Sequence, residues 1–166
     1  FSSSVMRLTK TLNASFTQAA RQISATLLVA DGTCPHIREL LAAAESPVLW
    51  LDGKEPPLEA VSRALAERRS TGQPVDTLHW VSHGRPGQLY MGATQINSAT
   101  LLANTHNLAS WELKNLALWS CYAGADHNFI SLWQELTGSN VWSSAKALGK
   151  TQYKTTQWDL TGNHKG

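Results

Sequence analysis

Several things are missing from this sequence, and each absence closes off a class of function. No apolar run in its 166 residues approaches the roughly 18 needed to cross a bilayer as a helix. Two cysteines, Cys34 and Cys121, are too few for a disulfide framework or for the usual four-ligand zinc sites. Charge is sparse at 16% and nearly balanced, with 14 Lys+Arg against 12 Asp+Glu. No basic block exceeds Arg68-Arg69, so no nucleic-acid partner is expected. Internal repeats and low-complexity segments are lacking, as is anything like a signal peptide; a chain that opens at Phe1 reads as a piece of a longer one.

What is present describes one globular domain. Hydrophobic residues make up 42% of the chain, which excludes a disordered composition. A domain of this length buries roughly two thirds of its unfolded surface and needs no metal or disulfide to do so. Residues 1–22 are polar and read as an N-terminal extension with one loose helix around Ala14–Arg21, docked by Phe16, Ala20 and Ile23. Residues 23–163 read as the α/β domain proper.

Within that domain, apolar runs alternate with amphipathic helical spacing. Thr26–Ala30, Val48–Leu51, Thr77–Val81, Leu113–Trp119 and Asn140–Ser143 read as five strands. Ile37, Leu40, Leu41 and Ala44 share a helical face that Pro47 ends. Pro56-Pro57 opens a second helix carrying Leu58, Val61 and Leu65. A hairpin is expected around Gly92-Ala93, then a helix near Ala99–Asn107. A helix over Asn128–Leu136 is expected to be capped by Asp126 and stopped at Gly138. Strands apolar on both faces, separated by helices, predict a three-layer α/β sandwich around a mostly parallel sheet.

Ligands of such sheets bind at the carboxyl ends of the strands. Asp31 and Cys34, Asp52, Ser82-His83-Gly84, Ser120-Cys121 and Ser143-Ser144 occupy those ends. An imidazole and a thiol, 38 residues apart, therefore share one rim. That pair suffices for acyl transfer. The imidazole takes the thiol proton as sulfur attacks and returns it to the leaving amine. Gly84 and Cys121 can offer backbone N–H groups to an oxyanion. No cofactor is called for. His36, His79, His106 and His127 have spacings that match no compact metal-ligand set.

Leu78–Gly84, Pro86–Leu89, Leu116–Cys121, Leu136–Val141 and Trp158–Leu160 together resemble the DUF4347 family of bacterial domains. The resemblance covers about residues 24–162. That family is often found near the N-terminal end of large secreted, repeat-rich surface proteins, which implies a secreted or cell-surface location. The His-Gly block followed by a Ser-Cys block is similar to caspase-like cysteine peptidases. By that likeness His83 is the general base and acid and Cys121 the nucleophile of a dyad. Ser120 before the cysteine follows the peptidase pattern. The chain is shorter than a whole caspase, and only five strands are marked. The caspase-like sheet order 2-1-3-4 would set the Cys34 loop beside the His83 loop. Cys34 is then either a small apolar filler or the partner of Cys121 in a disulfide.

The candidate substrate contacts are Ser120, Trp158 and Asp159, by the resemblance, and Arg85, by its charge. Trp158 would either border the pocket for the residue before the cut or pack in the core, and Asp159 would either receive a basic side chain or serve as a turn residue or a partner for Lys150 or Lys154. Arg85 or Arg38 would instead select an acidic side chain. Trp50, Trp80 and Trp119 are expected in the core, and Asp31 as a turn residue. Three functions follow as expectations. The first is an endopeptidase acting on a peptide, a protein or its own parent chain. The second is a catalytically silent interaction module of an adhesin-like protein, using Trp-rich loops. The third is another thiol hydrolase.

Overall fold

The computed structural model describes residues 25–144 and Thr161–Gly162. The elements run in order β1 (Ala25–Asp31), α1 (Pro35–Leu40), β2 (Val48–Leu51), α2 (Pro57–Ser70) and β3 (Val75–Val81). Three short strands follow, β4 (Gly84–Arg85), β5 (Gln88–Met91) and β6 (Thr94–Ile96). Then come α3 (Ser98–Ala103), α4 (Thr105–Ala109), β7 (Asn115–Trp119), α5 (His127–Thr137), β8 (Asn140–Ser143) and β9 (Thr161–Gly162). The main sheet has the order β2-β1-β3-β7-β8-β9. Its first five strands are mutually parallel and β9 runs antiparallel to β8. A two-residue sixth strand therefore closes the edge, beyond the five marked in the sequence. Strands β4, β5 and β6 form a separate antiparallel sheet.

Alternation along each strand feeds two cores. On one face, Leu27 and Val29 of β1, Leu78 and Trp80 of β3, and Leu116 and Leu118 of β7 pack under α2, α3, α4, α5 and the β5–β6 hairpin. On the other, Leu28 and Ala30 of β1 and Val81 of β3 meet Ile37, Leu40 and Leu41 of α1 and the loop after it. Helices thus cover both faces, the arrangement a parallel sheet with two apolar sides demands. Trp80 is fully buried, while Trp50 and Trp119, expected in the core, pack at its margin and stay partly exposed. An aromatic cluster among the described residues instead joins Trp80, Trp111 and Phe129 to Trp133, each ring centroid 6.0–6.1 Å from that of Trp133.

Two helices differ from their sequence pattern. The helix expected through Ala44 ends at Leu40. Beyond it Ala42 donates to the Glu39 carbonyl and Ala44 to the Leu41 carbonyl, i→i−3 bonds that tighten the chain. That tightening lets Pro47 turn back so its carbonyl accepts the Leu28 N–H and β2 enters beside β1. The helix expected near Ala99–Asn107 is broken in two at Asn104, whose side chain donates to the Thr100 carbonyl while its N–H bonds Leu101. By contrast, α5 begins where Asp126 accepts the Phe129 N–H at 3.0 Å and ends at Gly138 with φ 70°, as the sequence pattern requires. Residues 1–22, expected as an extension, lie outside the described residues, and the domain's first strand starts at Ala25.

Candidate active site

Register decides which residues meet at the rim. Val81 of β3 pairs with Trp119 of β7, and Ala30 of β1 pairs with Val81. The chain therefore leaves three adjacent strands at one level. Ser82 stands beside Ser120, and His83 and Cys121 follow them on the loops that leave β3 and β7. Bonds across the rim hold this alignment. Ser82 Oγ accepts the Trp80 Nε1–H at 2.9 Å and lies 3.2 Å from Ser120 Oγ. Ser120 is 1% exposed. Its expected role as a substrate contact gives way to that of a clamp between loops, because a buried hydroxyl already bonded to Ser82 presents nothing to a ligand.

Gly84 brings the two loops together. A Cβ on Gly84 would sit 2.7 Å from Ser120 Cβ and 3.0 Å from the Cys121 carbonyl oxygen, so only glycine permits this approach. Tyr90 N–H donates to the His83 carbonyl at 2.9 Å. Gly84 faces Leu89 in the β4–β5 ladder. With that bond in place, Gly84 and Leu89 exchange no hydrogen bonds, and the Gly84 N–H points away from β5. His83 is exposed and Cys121 half-buried. After Cys121 the chain turns sharply: Tyr122 adopts φ 60°, a left-handed conformation that costs a non-glycine residue about 1–2 kcal/mol. Gly124 N–H then bonds the Ser144 carbonyl at 2.8 Å, tying this loop to the end of β8.

The β1 loop completes the rim from the other side. The Asp31 carboxylate, 3% exposed, accepts the Thr33 N–H and Thr33 Oγ1–H at 2.9 and 2.6 Å, and the Gly92 N–H at 3.0 Å. Asp31 is a turn residue that also fastens the hairpin. The same loop carries Cys34, whose Sγ lies 3.4 Å from His83 Nε2. Both thiols are free, so the alternative of a Cys34–Cys121 disulfide is not realised. Cys34 touches the smaller core as a filler would, but its sulfur faces the imidazole. Sequence reasoning placed the two loops side by side yet missed this contact; the Asp-Gly-Thr-Cys turn after β1 is the signal that carries it.

Arg85 is exposed on β4, one residue beyond Gly84. Arg38 is exposed and stacks on Trp50 with its guanidinium carbon 4.9 Å from the ring centroid. Trp158 and Asp159 lie outside the described residues. His79 is buried behind the rim, on the α1 face of the sheet. Its Nδ1 accepts the Trp119 Nε1–H at 3.0 Å, and burial lowers its pKa from 6.5 to about 4. Among the described residues, no group of three or more His, Cys, Asp or Glu is arranged to hold a metal ion.

A family model described as "Domain of unknown function (DUF4347)" matches residues 27–165. The chain belongs to this family. No curated protein matches this chain. Among solved structures, it is similar to the crystal structure of aromatic-amino-acid aminotransferase from Burkholderia pseudomallei covalently bound to pyridoxal phosphate, at 15% identity and a TM-score of 0.46. That match covers 95% of this chain and 37% of the aminotransferase, and a likeness of this grade bears on neither fold nor chemistry. Among the described residues of the DUF4347 domain, no helix is long and apolar enough to cross a membrane.

Proposed function

We propose that this DUF4347 domain is a cysteine endopeptidase in which Cys121 is the nucleophile and His83 the proton shuttle. The observation that carries the reading is the level exit of β3 and β7, which sets an exposed imidazole and a half-buried thiol on neighbouring loops in contact through Gly84. Cys121 Sγ attacks the peptide carbonyl carbon while its proton passes to His83. The N–H groups of Gly84 and Cys121 receive the oxyanion. Collapse breaks the C–N bond, His83 protonates the departing amine, and water attacks the thioester through the same base.

Buried bonds at Ser82–Ser120 and the αL turn at Tyr122 keep this geometry without substrate, the pre-organisation such chemistry needs. Arg85, exposed beside Gly84, is the described side chain placed to meet a substrate acidic group. The caspase-like His-Gly and Ser-Cys blocks, and the family's association with secreted surface proteins, make the parent polypeptide outside the cell the substrate of choice.

The test is cleavage of a peptide library and of the parent polypeptide, read by mass spectrometry, in wild type, Cys121→Ala, Cys34→Ala and His83→Ala. Cys121→Ala and His83→Ala are expected to lose at least about 100-fold in rate, the lower range of a general-base contribution. Cleavage retained in a folded Cys121→Ala protein refutes the assignment. If that variant also keeps every biological activity of the parent, the domain is an interaction module.

A further inference from the structure

The peptidase reading uses one thiol, whereas the imidazole faces the other. We infer that Cys34 is a modification site for Michael acceptors (α,β-unsaturated carbonyl compounds), with His83 as its proton shuttle. Cys34 Sγ and His83 Nε2 lie 3.4 Å apart, within reach for S–H to hydrogen-bond an imidazole protonated on Nδ1. A nucleophile with a base at hydrogen-bond distance is the arrangement that activates a thiol.

Both partners are held from behind. The His83 carbonyl accepts Tyr90 N–H at 2.9 Å and Ser82 Oγ–H at 3.1 Å. The Cys34 carbonyl accepts the N–H groups of Ile37 and Arg38, both at 3.1 Å. Asp31, three residues before Cys34, is anchored to Thr33 and Gly92. The pair is therefore a product of two braced loops. Its sulfur is half-buried and its imidazole exposed, so a small planar electrophile can reach it.

In the addition, Sγ forms a bond to the β-carbon and the alkene electron pair moves to the α-carbon. His83 Nε2 takes the thiol proton and delivers it to that α-carbon. No group leaves and no oxidant is needed. The site does not depend on Cys121 being a nucleophile.

Acrylamide, a slow acceptor for ordinary thiols, tests this on the full chain. Trypsin places the two cysteines on separate peptides, residues 22–38 and 115–146, so each is quantified alone by mass spectrometry. Cys34 in the folded protein is expected to react at least about tenfold faster than in the urea-unfolded chain, although folding half-buries it. His83→Gln, which keeps a polar group but cannot shuttle a proton, is expected to slow Cys34 fivefold or more. Added imidazole should restore part of the rate in His83→Ala. A Cys34 rate in folded wild type at or below the unfolded rate overturns the proposal, whether or not either variant folds. So does a His83→Gln rate less than fivefold below wild type. A Cys121→Ala background gives the same Cys34 readout even if peptide cleavage fails, so the two readings fall separately.

Discussion

His79 shows how one residue can combine obvious and hidden physics. Its place inside an apolar strand marks it as structural, and its burial at 2% exposure keeps it neutral. Its folded pKa, about 4, lies below the unfolded value of 6.5. Between those values the unfolded chain binds a proton that the native state refuses, so stability is full above pH 6.5 and falls as pH drops toward 4. The limiting loss is on the order of 3 kcal/mol. Urea unfolding at pH 7.5 and pH 4.5 checks it: wild type should lose stability across this window, and His79→Gln should lose less. His83 illustrates the reverse case. Its position after a strand and before a glycine was legible, but the thiol it faces was not, because Cys34 lies 49 residues away in the chain.

At the scale of elements, short-range signals were reliable wherever the competing forces were local. Asp126 and Gly138 end α5 where the sequence says they should, since a cap needs only its own helix. The α1 pattern overran, because pairing of β2 with β1 overrides helical propensity at Ala42–Ala44. Asp31 is the element-scale fastener. Its carboxylate joins the end of β1 to the β5–β6 hairpin through the Gly92 N–H, a bond across 61 residues that no local pattern announces. Asp31→Ala removes the acceptor for three hydrogen-bond donors at once. It is expected to cost about 2–4 kcal/mol, the range for charged acceptors and stranded donors. Chemical denaturation measures the loss, and faster hydrogen exchange at the Gly92 amide locates it. An unchanged Gly92 amide would show that the hairpin is held by other contacts.

For the whole molecule, stability concentrates under α5. Trp133 touches the rings of Trp80, Trp111 and Phe129, tying α5 to β3 and to Trp111, beyond the end of α4. Its Nε1–H is buried with no hydrogen-bond partner among the described residues. Trp133→Ala is expected to cost about 3–5 kcal/mol through lost burial and the cavity left behind. Trp133→Phe should cost clearly less, since it removes the unpaired donor along with part of the ring. Equal losses in the two variants, by thermal or urea unfolding, would show that the indole N–H is satisfied in the folded protein.

Composition and periodicity alone determined the class of fold, the five parallel strands and the rim where His83 and Cys121 emerge, because apolar alternation and strand-end turns are local facts of the chain. Tertiary structure alone decided that Ser120 is buried as a clamp, that Cys34 meets His83, and that a sixth strand closes the sheet. Those outcomes depend on register between strands far apart in sequence. Register is selected by packing of the two faces together, which no single segment encodes.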